Sequence, residues 1–259
     1  MTKTAWLVVL LTIGCTAGAA SAQEAVKVVE PRKIVDSPTA GLLPHGAFDL
    51  DLRIFPGGGV VAGLEAGLLH RLLLGVSFGG ENIIGSGDVD WYPKLEFAAK
   101  YRIVEEGRVG PALAIGFDSQ GLGAYQHADS GRRYAVKSKG LYLVSSKSYA
   151  LLGVLGVHLG LNYSLERDDG DEDLSGYVGL DKALNAGLSL RVEYDLAIND
   201  NQDNALNSGN GYLNAGIRWV FGHKLDIGFD VKNLSRRSTV LSEDPEPSRE
   251  LRLVYLERF

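Results

Sequence analysis

From Gly46 onward the chain falls into about twelve segments in which apolar residues take every second position, with polar residues or glycine between them. A period of two is the signature of a β-strand with two unlike faces. The segment 154–166 shows it most clearly: Leu155, Val157, Leu159, Leu161 and Tyr163 share one face, and Gly156, His158, Gly160, Asn162 and Ser164 the other. The segment 188–198 repeats it, setting Leu188, Leu190, Val192 and Tyr194 against Ser189, Arg191, Glu193 and Asp195. The same pattern predicts strands over 47–54, 60–70, 72–80, 91–103, 109–118, 141–149, 174–182, 212–221, 225–232 and 251–259. Lys147 interrupts it in 141–149 by falling on the side of Leu141 and Leu143.

The connections alternate in length. Tight turns are expected near 70–71, 105–108, 150–153, 183–186 and 222–223, and longer polar loops over 81–90, 119–140, 167–173, 199–211 and 233–249. Only 56–59 is short where the alternation requires a long loop. An even number of strands, with short turns at one end and long loops at the other, is what a bacterial outer-membrane barrel needs when both termini face the periplasm. The expected fold is therefore all-β: a transmembrane antiparallel up-and-down β-barrel of about 12 strands over residues 46–259.

The two faces decide between a membrane barrel and a soluble one. Gly63, Gly75, Gly116, Gly156, Gly160 and Gly216 fall on the charged face, whereas the other face is mainly leucine, valine, isoleucine and aromatics. Bulky apolar side chains suit lipid, and small or charged ones suit an enclosed axis. Phe78, Trp91, Phe117, Tyr163 and Tyr194 gather towards one strand end, and Tyr101, Tyr149, Trp219, Phe221 and Phe259 towards the other, in the manner of interfacial girdles. The last segment sets Leu251, Leu253, Tyr255 and Phe259 on one face. It resembles the carboxy-terminal signal of barrel proteins handled by the barrel-assembly machinery, with Glu257 as a departure. The implied location is the outer membrane of a Gram-negative bacterium, with its lipid as a partner.

Ahead of the barrel, residues 1–22 read as a signal peptide, from Lys3 through an apolar run to the small residues Ala20, Ser21 and Ala22. Cys15, the only cysteine, lies inside it, so the mature chain would hold neither disulfide nor thiol site. A lipoprotein signal is the other reading of Cys15, but Thr12 stands where such signals carry leucine. Removing the signal leaves 25 basic against 32 acidic residues, a net charge of −7, which argues against nucleic acid as a partner. Residues 23–45 carry Pro31, Pro38 and Pro44 and are less patterned. They read either as a periplasmic extension or as a plug folded back into the barrel.

The inward face would carry Asp49, Asp51, Arg53, Glu65, Lys94, Glu96, Lys100, Arg102, Asp118, Arg191, Glu193, Asp195, Arg218, Asp226, Asp230, Lys232 and Arg252. Such a wall reads either as a charge-selective passage or as cross-strand ion pairs filling a narrow lumen. The acidic run Asp168, Asp169, Asp171, Glu172 and Asp173 offers hard oxygen ligands, yet lacks the spacing of a helix-loop-helix calcium loop and reads better as a solvated outer loop. His158 stands near Asn162 and Ser164, and His127 near Asp129 and Ser130, but no histidine-any-serine pair marks a lipid deacylase. No catalytic residue, metal or cofactor is expected.

Several stretches, "PTAGLLPHGAFDLDLRIF", "WYPKLEFAAKYRI", "GFDSQGLGAY", "KGLYLVSSKSY" and "LRVEYD", resemble YjbH-type outer-membrane proteins associated with exopolysaccharide production. Those proteins are larger, so the resemblance covers one barrel module. It implies a part in polysaccharide export or surface assembly and supplies no functional residue. The expected function is a pore or export component for small polar solutes or polysaccharide. The alternatives are a non-conducting barrel whose outer loops bind a partner and a lipid-modifying enzyme.

Overall fold

The computed structural model describes residues 30–127, 131–201, 206, 210–222, 224–235 and 247–258. The expected signal peptide, Asp129, Ser130 and Phe259 lie outside them. The chain first forms β1 (Ala47–Phe55), β2 (Gly59–Leu69) and β3 (Leu72–Glu81). A broken strand follows as β4 (Asp90–Trp91) and β5 (Glu96–Val104), then β6 (Ala112–Asp118). The loop after β6 carries a small hairpin, β7 (Leu122–Gln126) and β8 (Arg133–Val136). The remaining strands are β9 (Gly140–Ala150), β10 (Val154–Tyr163), β11 (Ser175–Ala183), β12 (Leu188–Asp195), β13 (Tyr212–Phe221), β14 (Leu225–Lys232) and β15 (Ser248–Arg258).

Neighbouring strands pair antiparallel around the whole wall, and β1 closes on β15 from Ala47↔Arg258 to Ile54↔Leu251. β4 pairs with β3 alone and prolongs β5, while β7 and β8 form a separate two-stranded sheet, so the closed barrel has 12 strands. Closure leaves no unpaired strand edge, the condition for placing a sheet in hydrocarbon.

The strand expected over 91–103 is interrupted. Pro93 has no N–H to give to the ladder, and Tyr92 is buried inside the barrel, against Tyr134. Pro111 likewise delays β6 to Ala112, leaving Val109 exposed.

Alternation sorts the side chains sharply: Leu159 is 56% exposed and Glu193 1%. Leu50, Leu64, Leu143, Val192, Ile217 and Phe229 continue the exposed apolar belt around the outside. A closed barrel that is apolar outside and ionic inside is stable with lipid as its outer solvent, so the chain is an outer-membrane barrel. Phe78 stacks on Trp91 at the long-loop end (5.6 Å), and Trp219 meets Phe221 at a tilt at the short-turn end (4.6 Å).

Two sequence irregularities fall at the short-turn rim. Lys147 stays on the lipid side but reaches back, placing Nζ 2.5 Å from the carbonyl of Gly107; long cationic side chains escape hydrocarbon in this way. Glu257 accepts from Lys224 at 2.7 Å and from the Tyr255 hydroxyl at 2.8 Å.

Candidate functional site

The inward strand positions carry charge. Asp49, Asp51 and Arg53 stand on β1, Glu65 on β2, Glu96, Lys100 and Arg102 on β5, and Asp118 on β6. Across the barrel are Arg191, Glu193 and Asp195 on β12, Arg218 on β13, Asp226, Asp230 and Lys232 on β14, and Arg252 on β15. All sixteen are buried or half-buried. Lys94, expected among them, does not join the wall. It lies in the link left by the Pro93 break, exposed, with Nζ 3.8 Å from Glu96.

Residues 31–43 occupy the space these charges surround. They form a narrow finger that rises from the short-turn end and returns to β1. Lys33 bridges Pro38, the N–H of Thr39 donates to Arg32 O at 3.0 Å, and that of Ile34 to Ser37 O at 2.9 Å, so residues 34–37 make the turn at the tip. Leu42 and Leu43 pack on Leu73 at the base. Ile34 fills the space over Gly179, where a β-carbon would come within 2.3 Å of its Cδ1.

The wall grips this finger mainly by its main chain. Lys100 donates to the carbonyls of Arg32 (3.0 Å) and Gly41 (3.1 Å), and Arg102 to that of Ala40 (2.9 Å). Arg191 donates to those of Lys33 (3.0 Å) and Ile34 (3.1 Å), Arg252 to Val35 O (3.5 Å), and the Tyr177 hydroxyl to Pro38 O (2.8 Å). In the other direction, Glu193 accepts the successive N–H groups of Val35 (3.0 Å), Asp36 (3.0 Å) and Ser37 (2.9 Å), and Ser146 Oγ accepts that of Ala40 (2.9 Å). Side-chain pairs add to this: Arg32 with Asp49 and Glu65, Lys33 with Asp118 at 2.9 Å, and Asp36 with Lys232 at 2.7 Å.

The hairpin β7–β8 enters from the long-loop end. Tyr134 meets Tyr92 and Tyr125 edge-on at 4.9 and 5.0 Å and donates its hydroxyl to Glu96 at 3.0 Å. Burial, reinforced by the Glu96 carboxylate, holds this phenol well above the ordinary tyrosine range, so it stays a donor. Arg133 pairs with Asp169 at 2.8 Å and Asp200 at 2.6 Å, Lys137 with Asp169 at 2.7 Å, and Lys139 with Asp195. Arg132 takes Asp168 at 3.0 Å. Asp168 and Asp169 are thus engaged by cations of the hairpin and Asp171 is buried, whereas Asp168, Glu172 and Asp173 stay exposed as an outer loop would, and among the described residues no group of three or more potential ligands could hold a metal ion.

Between finger and hairpin lies a cavity of about 110 Å³ whose lining includes Asp36, Lys139, Glu193 and Lys232 beside Leu122, Ala135 and Val136. A second, of about 270 Å³, opens at the short-turn end beside His158, Asp181, Arg191 and Arg218.

No protein-family model matches this chain. No curated protein matches it either. Among solved structures it is similar to the KdgM porin, with a TM-score of 0.48 and 12% identity over 82% of this chain and 99% of that one. The KdgM porin in complex with disordered oligogalacturonate gives 0.49 and 13% over the same shares. An outer membrane channel from Pseudomonas putida F1 gives 0.46 and 15% over 83% and 97%. The assignment of the fold rests on the strand pairing, not on these likenesses.

His158 meets partners other than those nearest in sequence. Its Nδ1 lies 2.8 Å from Ser146 Oγ on β9 and its Nε2 2.6 Å from Asp181 Oδ1 on β11, whereas the Ser164 hydroxyl accepts the N–H of Glu166. Serine, histidine and aspartate in a row are the residue types of acyl transfer. In this conformation Ser146 Oγ also holds the N–H of Ala40, so the row ties the finger to the wall. Ser146, Asp181, Arg133 and Tyr134 went unmarked in the sequence. Their signals were faint: Asp181 on the charged face of 174–182, and Arg132 and Arg133 matching the charge of Asp168 and Asp169.

Proposed function

We propose that this barrel is an outer-membrane channel for small polar solutes whose lumen, in the conformation described, is closed by a plug formed by residues 31–43. The observation that carries the proposal is the polar grip on the finger. An interior built only to stay filled is served as well by apolar side chains, since replacing a buried ion pair with packed hydrophobic groups is often neutral or stabilising. Sixteen ionisable groups facing the axis are better suited to meeting water and solute after the finger leaves. Each finger-to-wall bond is worth only about 0.5–1.5 kcal/mol net, or about 1.5–3 where a charge is involved, because water competes for both partners. Charged walls of mixed sign then select passing solutes by charge.

Residues 1–22 as signal, 23–45 as extension and plug, and insertion by the barrel-assembly machinery belong to the same proposal. Linear polysaccharide is the cargo that the YjbH-type resemblance implies, and no described residue favours it over smaller solutes. The test is single-channel recording of refolded chain 23–259 beside a chain lacking residues 23–43, with heat-dependent gel mobility confirming that both barrels are folded. The shortened chain is expected to conduct steadily and the longer one to stay closed most of the time. Silence from both folded proteins would overturn the channel and leave a non-conducting surface barrel.

A further inference from the structure

We infer that the lumen is a site for polypeptide main chain, and that the solute it takes once the finger has left is a short peptide. This deepens the proposed channel and rests on reading residues 31–43 as a removable plug. Over residues 32–41 the wall donates to the carbonyls of 32, 33, 34, 35, 38, 40 and 41 and accepts from the N–H groups of 35, 36, 37 and 40. Cationic and phenolic donors stand where carbonyls fall, and Glu193 and Ser146 where N–H groups fall. That division matches a peptide, whose donors and acceptors are fixed one residue apart. A sugar, whose hydroxyls both donate and accept, does not call for such a division. Glu193 is the most selective element, because one carboxylate bridging three successive N–H groups requires a turn of polypeptide.

Main-chain recognition leaves most side chains free to vary, so other sequences fit the same cradle. The side-chain pairs add a preference: carboxylates of Asp49, Glu65 and Asp118 await cations at the places of Arg32 and Lys33, and Lys232, which also pairs with Glu250 at 2.5 Å, takes a second anion at that of Asp36. A peptide with two basic residues followed three or four positions later by an acidic one ranks first. In the intact chain the finger itself competes, since a short tether holds it at roughly millimolar effective concentration.

The test uses the full mature chain carrying Val35→Pro, which removes one N–H donor to Glu193 from the finger and leaves the wall untouched; Ser37→Pro serves as a second variant. A fluorescein-labelled peptide with the sequence of residues 30–44 is titrated and its anisotropy followed. It is expected to bind either variant about tenfold tighter than the unmodified chain, the equivalent of one charge-assisted bond lost by the competitor. A peptide keeping only the two cations and the acid, with alanine and serine elsewhere, should displace it within about tenfold of its own concentration. The same peptide N-methylated at the three positions facing Glu193, or a linear oligosaccharide of similar length, should be more than about 100-fold weaker, three such bonds being lost. Equal displacement by the N-methylated peptide or the oligosaccharide, or no binding to either variant, would overturn the inference. Anisotropy needs no conductance, so a barrel that conducts without binding peptide refutes only this inference. One that binds peptide but never conducts refutes only the channel.

Discussion

Residues 31–43 and the hairpin β7–β8 enter the barrel from opposite ends, and the wall holds them by different atoms. The finger is gripped through carbonyls and N–H groups by Lys100, Arg102, Ser146, Tyr177, Arg191, Glu193 and Arg252. The hairpin and the residues just after it are gripped mainly through the side chains of Arg133, Tyr134, Lys137 and Lys139, with Glu166 holding the Tyr134 amide. The finger's attachment is therefore spread over many modest bonds and tolerant of sequence. The hairpin's is concentrated in a few buried groups and specific to them. The two closures should fail differently under mutation, the outer one abruptly and the inner one by degrees.

Arg133→Ala should have the largest effect. It leaves the buried Asp200 without its cation and takes one of two from Asp169, which keeps Lys137, and breaking a buried pair costs about 3–5 kcal/mol. The Tyr134 amide, held by Glu166 at 2.8 Å, should then exchange its hydrogen far faster. Tyr134→Phe comes next: it takes the donor from the buried Glu96 carboxylate, at a cost of about 1–3 kcal/mol, and should move the same amide by a smaller factor.

Glu193→Gln should loosen only the finger. The side chain keeps its shape while three charge-assisted bonds become neutral ones, a change of about 1–2 kcal/mol, visible as faster exchange at Val35, Asp36 and Ser37 with Tyr134 unaffected. The smallest effect belongs to Ser37→Ala. The Ser37 hydroxyl has no hydrogen-bond partner among the described residues, so the finger should stay docked within about 0.5 kcal/mol. A large loss there would mean that side chains, not main chain, hold the finger.

The barrel was legible because one short period runs through it. Leu159 and His158 declare opposite faces by alternation alone, and the loop lengths order the strands. Register is set by pairing across strands, so the meeting of Ser146, His158 and Asp181 could not be read along any one of them. Lys94 misled because alternation carries no mark of the Pro93 break. The finger was illegible for a different reason. Its main-chain partners lie from 59 to 217 positions away in sequence, and a segment bound by its backbone needs no pattern of its own.

The most direct test of the account is the chemical accessibility of position 37. Ser37 is fully buried at the finger's tip, and Ser37→Cys in a chain starting at Gln23 carries a single thiol. With residues 31–43 inside the lumen, that thiol should resist a water-soluble reagent in the folded, membrane-inserted protein and react at once after unfolding. Labelling of the folded protein at the unfolded rate would contradict it.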